Sequence, residues 1–367
     1  MRVGLVGPLP PPAGGMANQT RQLARLLGAD GLQVALVRTN EPYRPAWIGA
    51  LKGVRAAFRL LPYIGRLKRL MGECEIVHVM ANSGWSWHLL AAPAIRIAAR
   101  RGVPVIVNYR GGLAEQFMRR SSRRVLGTLA KAHAVVVPTP FLQEVFGRHG
   151  VETRIIPNVV DLDIFRPAAE VPLGPVHIVV ARNLEQIYGI DVAIRAIAIL
   201  RPRVPGLRVS IAGSGPERQV LERLVAELGL SAVVRFTGGL ELDAVAALYR
   251  EAHIALNPSR ADNSPNSLIE AAACGVPIVS TNVGGIPHLV QDGRTALLIP
   301  ADNPQAMADA IAQVLDDAQL RELLRANGLA LARSFSWRTV GPKWIELYRQ
   351  AVGLTARERC GSSQAGA

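Results

Sequence analysis

The chain has 367 residues, 42 Lys and Arg against 28 Asp and Glu, and a formal charge of +14. With 49% hydrophobic and 19% charged residues it can bury sizeable cores, which excludes global disorder, and its length suggests two domains. No apolar run approaches the roughly 20 residues of a membrane span. The first residues run into prolines without the apolar core of a signal peptide, and three widely spaced cysteines fit a reducing compartment, so a cytoplasmic protein is expected.

Short β-branched runs recur at 2–6, 33–37, 76–80, 103–108, 134–137 and 154–156, then at 177–180, 208–212, 233–236, 254–257, 277–280 and 296–299. Between them lie helical patterns, clearest at 16–27, 192–200, 218–228, 243–249, 268–273 and 304–315. Strands alternating with helices predict βαβ units and parallel sheets, and two such series predict two doubly wound α/β domains. The stretch 161–175 holds Pro167, Pro172, Gly174 and Pro175 and reads as a linker. The expected domains are 1–168 and 169–336, followed by a helix over 337–353 and a disordered tail over 354–367.

The charge is one-sided. Residues 1–168 carry 23 basic and 9 acidic side chains, and residues 169–367 carry 19 of each. An anionic partner is therefore expected for the first half. From Trp47 to Met71, apolar residues fall every three or four positions, with Lys52, Arg55 and Arg59 among the basic residues between them. Pro62 is expected to split this segment into two helices. A second basic run contains Arg120, Arg123 and Arg124. Basic helices with aromatic residues on the apolar face can lie against an anionic membrane, the partner preferred here; the alternative is a pair of ordinary surface helices. Nucleic acid is the weaker reading, because no zinc-ligand or RNA-binding signature accompanies the charge.

The first strand runs into a proline-rich loop ending in Gly14-Gly15, just before a helix. The bare amides there can receive an anion, or the glycines can serve a tight turn alone. In the second half, a strand ends at Pro258, a polar loop carries Asp262, Asn263, Ser264 and Pro265, and a helix begins at Asn266–Ser267 with Glu270 one turn in. Carboxylates accept paired hydrogen bonds from vicinal hydroxyls, and a helix start can hold phosphate, so this frame suits a sugar nucleotide.

The frame resembles retaining glycosyltransferase family 4. The spacing of Asp262 and Glu270, the run Asp262-Asn263-Ser264-Pro265-Asn266, and the segment from Glu270 through Cys274-Gly275 to Val279 carry the resemblance. It extends to Ala181-Arg182-Asn183-Leu184, Ala212-Gly213-Ser214-Gly215-Pro216-Glu217, the stretch 234–238 ending in Gly238, and the Gly14-Gly15 loop. It implies a GT-B fold, two Rossmann-like domains with parallel sheets facing across a cleft, and a final helix that crosses back to the N-terminal domain. It further implies that Glu270 binds ribose hydroxyls. Asp262 and the backbone of Asn263–Asn266 would hold the donor sugar and distal phosphate, Arg182 the diphosphate, with Gly14, Gly15, Gly213, Gly238 and Ser267 lining the donor site. Arg182, Asp262 and Glu270 are the expected catalytic set.

Three positions depart from the family pattern, one of them His288, which stands where a glutamate is commoner. Tyr188 stands where a diphosphate-binding lysine is usual, so Arg260 or Arg110 would have to compensate. Asn108-Tyr109-Arg110 stands where a histidine loop is usual and is assigned to the acceptor side. The reaction expected is transfer of a sugar with retention from a UDP- or GDP-sugar to a lipid-linked or glycan acceptor, in cell-surface polysaccharide or glycolipid synthesis. It would run at the inner face of the membrane, with no metal, other cofactor or nucleic acid. The alternatives are a GT-B epimerase or phosphorylase, and a scaffold that binds sugar nucleotides without turnover.

Overall fold

A computed structural model describes residues 1–11, 14–42, 47, 55–169 and 174–364, without the side chains of 55–57 and 354–364. It forms two compact units, Met1–Pro157 together with the chain from Val340 onward, and Asn158–Thr339.

The first unit is built from β1 (Arg2–Gly7), α1 (Gly15–Ala29), β2 (Gln33–Arg38), α2 (Arg55–Leu70) and β3 (Ile76–Ala81), then a π turn, Trp87–Ala91, that leads into α3 (Ala92–Arg100). It continues through β4 (Val105–Tyr109), α4 (Ala114–Leu129), β5 (Ala134–Val137), α5 (Pro140–Gly147) and β6 (Arg154–Ile155). All pairings are parallel, in the order β2-β1-β3-β4-β5-β6. β3 and β4 are buried along their whole length, as expected for strands covered by helices on both faces.

The second unit contains β7 (His177–Ala181), α6 (Ile190–Leu200), β8 (Arg208–Ala212), α7 (Arg218–Glu227), β9 (Val234–Gly238), α8 (Leu242–Arg250) and β10 (Ile254–Asn257). After these come α9 (Asn266–Ala273), β11 (Ile278–Thr281), β12 (Leu297–Ile299), α10 (Pro304–Asp316) and α11 (Ala318–Ser334). Its parallel sheet runs β12-β11-β10-β7-β8-β9. The chain reverses direction across the sheet between β7 and β10. In open α/β sheets that switch point opens a crevice at the strands' carboxyl ends, where ligands bind.

All twelve expected strands are present. Four expectations change. The units divide at Pro157/Asn158, not at 168/169, because Val160 donates to the Phe335 carbonyl at 2.9 Å and Phe165 is buried in the second unit's core. α2 is continuous through Pro62. Its inward face is Tyr63, Leu67 and Leu70, which leaves Phe58 51% and Leu61 74% exposed, so the apolar repeat read through 47–71 belongs to more than one face. The last helix, α12 (Trp337–Gln364), continues past 353 into the tail expected to be disordered. From Val340 it belongs to the first unit, where Trp344, Leu347 and Tyr348 are buried.

Candidate functional site

The carboxyl ends of β7 and β10 bring Arg182 and Asp262 together. Arg182 follows β7, and its backbone N–H donates to the Ala212 carbonyl at 2.9 Å, continuing the ladder one residue past the strand. Its guanidinium Nη2 donates to Asp262 Oδ2, and the pair is nearly buried, at 11% and 13% exposure. Nη1 lies 3.4 Å from Ser267 Oγ at the start of α9. The guanidinium carbon sits 4.2 Å from the centre of the Tyr188 ring. Tyr188, at the position where the family pattern has a lysine, thus supplies an aromatic face that holds the arginine. Arg182 Nε is buried and has no hydrogen-bond partner among the described residues. A buried guanidinium donor normally finds an acceptor, so this one is available to an anion.

Glu270, on the second turn of α9, is partly accessible yet deep enough that desolvation pushes its carboxyl up to about 7, against a smaller opposite pull from Arg182. Tyr249 of α8 packs nearby, donating to the Ser267 carbonyl at 3.2 Å; burial, then the Glu270 charge, hold its phenol well above the usual range.

The loop before α9 is fixed from two sides. Asp262 Oδ1 accepts from the Ser264 N–H at 3.2 Å. Asn158 donates to the Ser264 carbonyl at 3.2 Å, to Ser264 Oγ at 3.3 Å and to Asn266 Oδ1. On the other side, the Gly285 N–H donates to the Asp262 carbonyl at 2.9 Å, and a Cβ at Gly285 would lie 1.9 Å from the Asn263 carbonyl oxygen. Behind Arg182, Gly213 donates to the Gly238 carbonyl at 2.8 Å, and a Cβ at Gly213 would lie 1.9 Å from the Arg182 carbonyl oxygen. These two glycines are required by close backbone approach.

Sequence reading missed Asn158 and the bracing role of Gly285. Asn158 sits more than a hundred positions from the loop it holds, so no local sequence signal marks it. Arg260 does not take the missing lysine's place. It is bidentate to Asp191 at 2.8 and 2.9 Å and bonds Asp302 and the Gln186 carbonyl, each at 2.7 Å.

The remaining site candidates lie in the first unit. Gly14 caps α1 with extended backbone, and a Cβ there would meet nothing, so turn geometry does not require glycine at that position. Asn108 and Tyr109, assigned to the acceptor side, are core residues. Tyr109 packs against Phe146 at 4.8 Å and Phe117 at 6.4 Å, and Asn108 is fully buried between His78 and Arg110. Asn108 Nδ2 lies 3.0 Å from His78 Nε2, His78 Nδ1 lies 2.6 Å from the Tyr348 hydroxyl, and Arg110 Nε donates to Asn108 Oδ1 at 3.2 Å. With the amide donating to Nε2, the proton of His78 sits on Nδ1 and is donated to Tyr348. Of the three residues, only Arg110 keeps accessible surface, and burial lowers its pKa to about 10.

Among the residues expected to face a membrane, Trp47 is 64% exposed, Arg120, Arg123 and Arg124 are exposed and Arg59 is half-buried. Lys52 and the Arg55 side chain lie outside the described residues. No helix among the described residues is long and apolar enough to cross a membrane, and no three His, Cys, Asp or Glu side chains there cluster as metal ligands.

Family models match both halves: Glycosyltransferase Family 4 over residues 13–164 and Glycosyl transferases group 1 over 163–330. The chain belongs to glycosyltransferase family 4. One relative is a GDP-mannose-dependent alpha-(1-6)-phosphatidylinositol monomannoside mannosyltransferase from Mycolicibacterium smegmatis, 29% identical over 85% of this chain and 91% of its own. Another is a D-inositol 3-phosphate glycosyltransferase from Paenarthrobacter aurescens, 33% identical over 56% of this chain; the match spans about half (53%) of that relative's length. Among solved structures, sucrose-phosphate synthase from Thermosynechococcus elongatus superposes with a TM-score of 0.77 at 22% identity, over 96% of this chain and 99% of its own. That likeness establishes the GT-B fold of the family: two Rossmann-like α/β domains with parallel sheets.

Proposed function

We propose that this glycosyltransferase moves a sugar, with retention and without a metal or other cofactor, from a UDP- or GDP-sugar to a lipid-linked or glycan acceptor in cell-surface polysaccharide or glycolipid synthesis. The observation that carries the reading is the Arg182 guanidinium, held by Asp262 and Tyr188 at the sheet's switch point, with its buried Nε unpartnered among the described residues and its Nη1 beside Ser267, one helical turn before Glu270. A relative that uses GDP-mannose and a phosphatidylinositol mannoside supports the class of donor and acceptor.

In this reading Glu270 binds the ribose hydroxyls as a carboxylate. Arg182 and the start of α9 face the diphosphate, whose charge grows as the bond from the anomeric carbon to the leaving phosphate breaks. Donors already fixed in place stabilise that charge without reorganisation, usually the largest catalytic effect. The acceptor oxygen attacks from the same face and gives its proton to the leaving phosphate oxygen. Asp262 orients Arg182 and the donor sugar, and Gly213, Gly238, Asn263–Asn266 and Ser267 complete the donor site. Anionic lipid at the inner membrane face is the surface that the exposed arginines and Trp47 would meet.

A panel of nucleotide sugars, scanned by thermal shift, tests this. One donor should raise the melting point of the wild type and leave Glu270→Ala unshifted, because only ligands bound to the folded state stabilise it. A Glu270→Ala enzyme that binds and transfers like the wild type would overturn the assignment.

A further inference from the structure

A groove of about 930 Å³ lies within the first unit, between the helix that follows β3 and α4. Its size is that of a small-molecule site. One wall presents Trp85, His88 and Arg96; the other presents Phe117, Arg120 and Arg124. Phe117, Arg120 and Arg124 recur at spacings of three and four and so share one face of α4.

The two ends of the groove differ in chemistry. Both helices follow strands of one parallel sheet, so their first turns lie at the strands' carboxyl edge. The aromatic residues sit at that end, in a chain of contacts. The Trp85 and His88 rings are 6.5 Å apart, and His88 and Phe117 5.8 Å. Trp85 is 78% exposed, so core packing does not account for it. The arginines sit one to three turns further along. Arg96 is drawn across the groove, donating to Thr128 Oγ1 of α4 at 3.0 Å. Arg120 and Arg124, four residues apart on one face, repel each other unless an anion lies between them. Among the described residues no acid lines the groove, and Glu115 of α4 is paired with Arg148 at 3.5 Å.

We propose that this groove binds a glycosyl phosphate, with the sugar ring against Trp85, His88 and Phe117 and the phosphate on Arg96, Arg120 and Arg124. A sugar's C–H face packs on an aromatic ring, while guanidinium groups match phosphate oxygens. The order of the groove, ring first from the strand edge and charge behind it, is the order in which a lipid-phosphate-linked sugar would present itself. The inference rests on the glycan acceptor proposed above and gives that acceptor a chemical class. A contact with a flat anionic bilayer would use the arginines but would need neither the cavity nor its aromatic end.

Calorimetry on the full chain without nucleotide tests it, with glucose 1-phosphate, glucose and inorganic phosphate as probes. Glucose 1-phosphate should bind saturably and at least about tenfold more tightly than the other two. Trp85→Ala and the double change Arg120→Ser/Arg124→Ser should each weaken it about tenfold or more without moving the melting point. Arg182→Ala and Glu270→Ala should leave this binding unaltered, which separates it from the donor site. If the probe's binding is lost in Arg182→Ala, matched by inorganic phosphate or unsaturable at millimolar levels, the groove is not a glycosyl-phosphate site. Phosphatidylglycerol vesicles provide a further arm. Vesicle binding that disappears in the arginine double variant, while glucose 1-phosphate binding persists, would make the face a membrane contact and overturn the proposal. Neither donor nor turnover is needed, so a failed donor-site assignment leaves the groove result readable, and the reverse.

Discussion

Glu270 makes a quantitative case for the donor site. Its carboxyl stands at about 7 instead of 4.5 because burial outweighs the Arg182 charge, and Tyr249 and Cys274 are the other titratable groups coupled to it. Only the carboxylate can accept from two ribose hydroxyls. With a pKa near 7, about nine-tenths of the molecules carry it at about pH 8 and about one-tenth at about pH 6. Affinity for a nucleotide sugar should therefore fall about tenfold across that window, or roughly 1.4 kcal/mol. The diphosphate of a nucleotide sugar is diesterified and does not titrate there, so the slope belongs to the protein. Glu270→Gln should bind more weakly at high pH and show no slope. Stability runs the opposite way. A carboxyl raised in the folded state favours folding fully below its unfolded value and loses that contribution as pH rises through 7. Glu270→Gln should thus gain on the wild type between about pH 5 and pH 8 in denaturant titrations. A flat wild-type affinity profile, or the same slope in Glu270→Gln, would refute the assignment of the carboxylate to the ribose.

Three further outcomes follow from the geometry. Arg182→Lys keeps the charge but loses the planar contact with Tyr188 and the guanidinium that reaches both Asp262 and Ser267, and kcat/KM in a transfer assay should drop about a hundredfold. Gly285→Ala places a methyl against the Asn263 carbonyl, and urea unfolding should register a loss of about 1–3 kcal/mol together with weaker donor binding. Tyr348→Phe strands the buried His78 Nδ1–H and should cost about 1–3 kcal/mol of stability by the same measurement. Burial holds His78 down to about 3, so it stays neutral when folded; its contribution is complete above its unfolded value of 6.5 and is lost as pH falls toward 3, visible as acid destabilisation in the wild type.

How much was legible in the chain depended on the range of the interaction. The central strands were readable because a parallel strand covered on both faces must be a short, nearly continuous apolar run, as in 76–80 and 254–257. The loop and helix start of the proposed donor site were readable for a similar reason: Asp262, Asn266 and Glu270 lie within nine consecutive residues, where local geometry fixes their relation. α2 was misread because Trp47, Phe58, Leu61 and Leu67 fit one helical repeat, whereas the sheet beneath selected Tyr63, Leu67 and Leu70 and turned Phe58 and Leu61 outward. The domain boundary was misplaced because proline and glycine content mark an irregular stretch without saying which core receives it; Phe165 had already entered the second.

The sequence by itself determined the alternation of strands and helices, the one-sided charge and the residues of the loop proposed to hold the donor, all of which depend on local spacing and composition. The tertiary structure alone decided what those residues hold. Tyr188 proves to be the face on which Arg182 lies, Arg260 is taken up by Asp191 and Asp302, Asn158 braces a loop far along the chain, and three arginines line a groove with Trp85. The physical reason is that local propensity acts over one or two turns, while the partner of a guanidinium or a carboxylate is set by which strand ends the sheet order brings side by side.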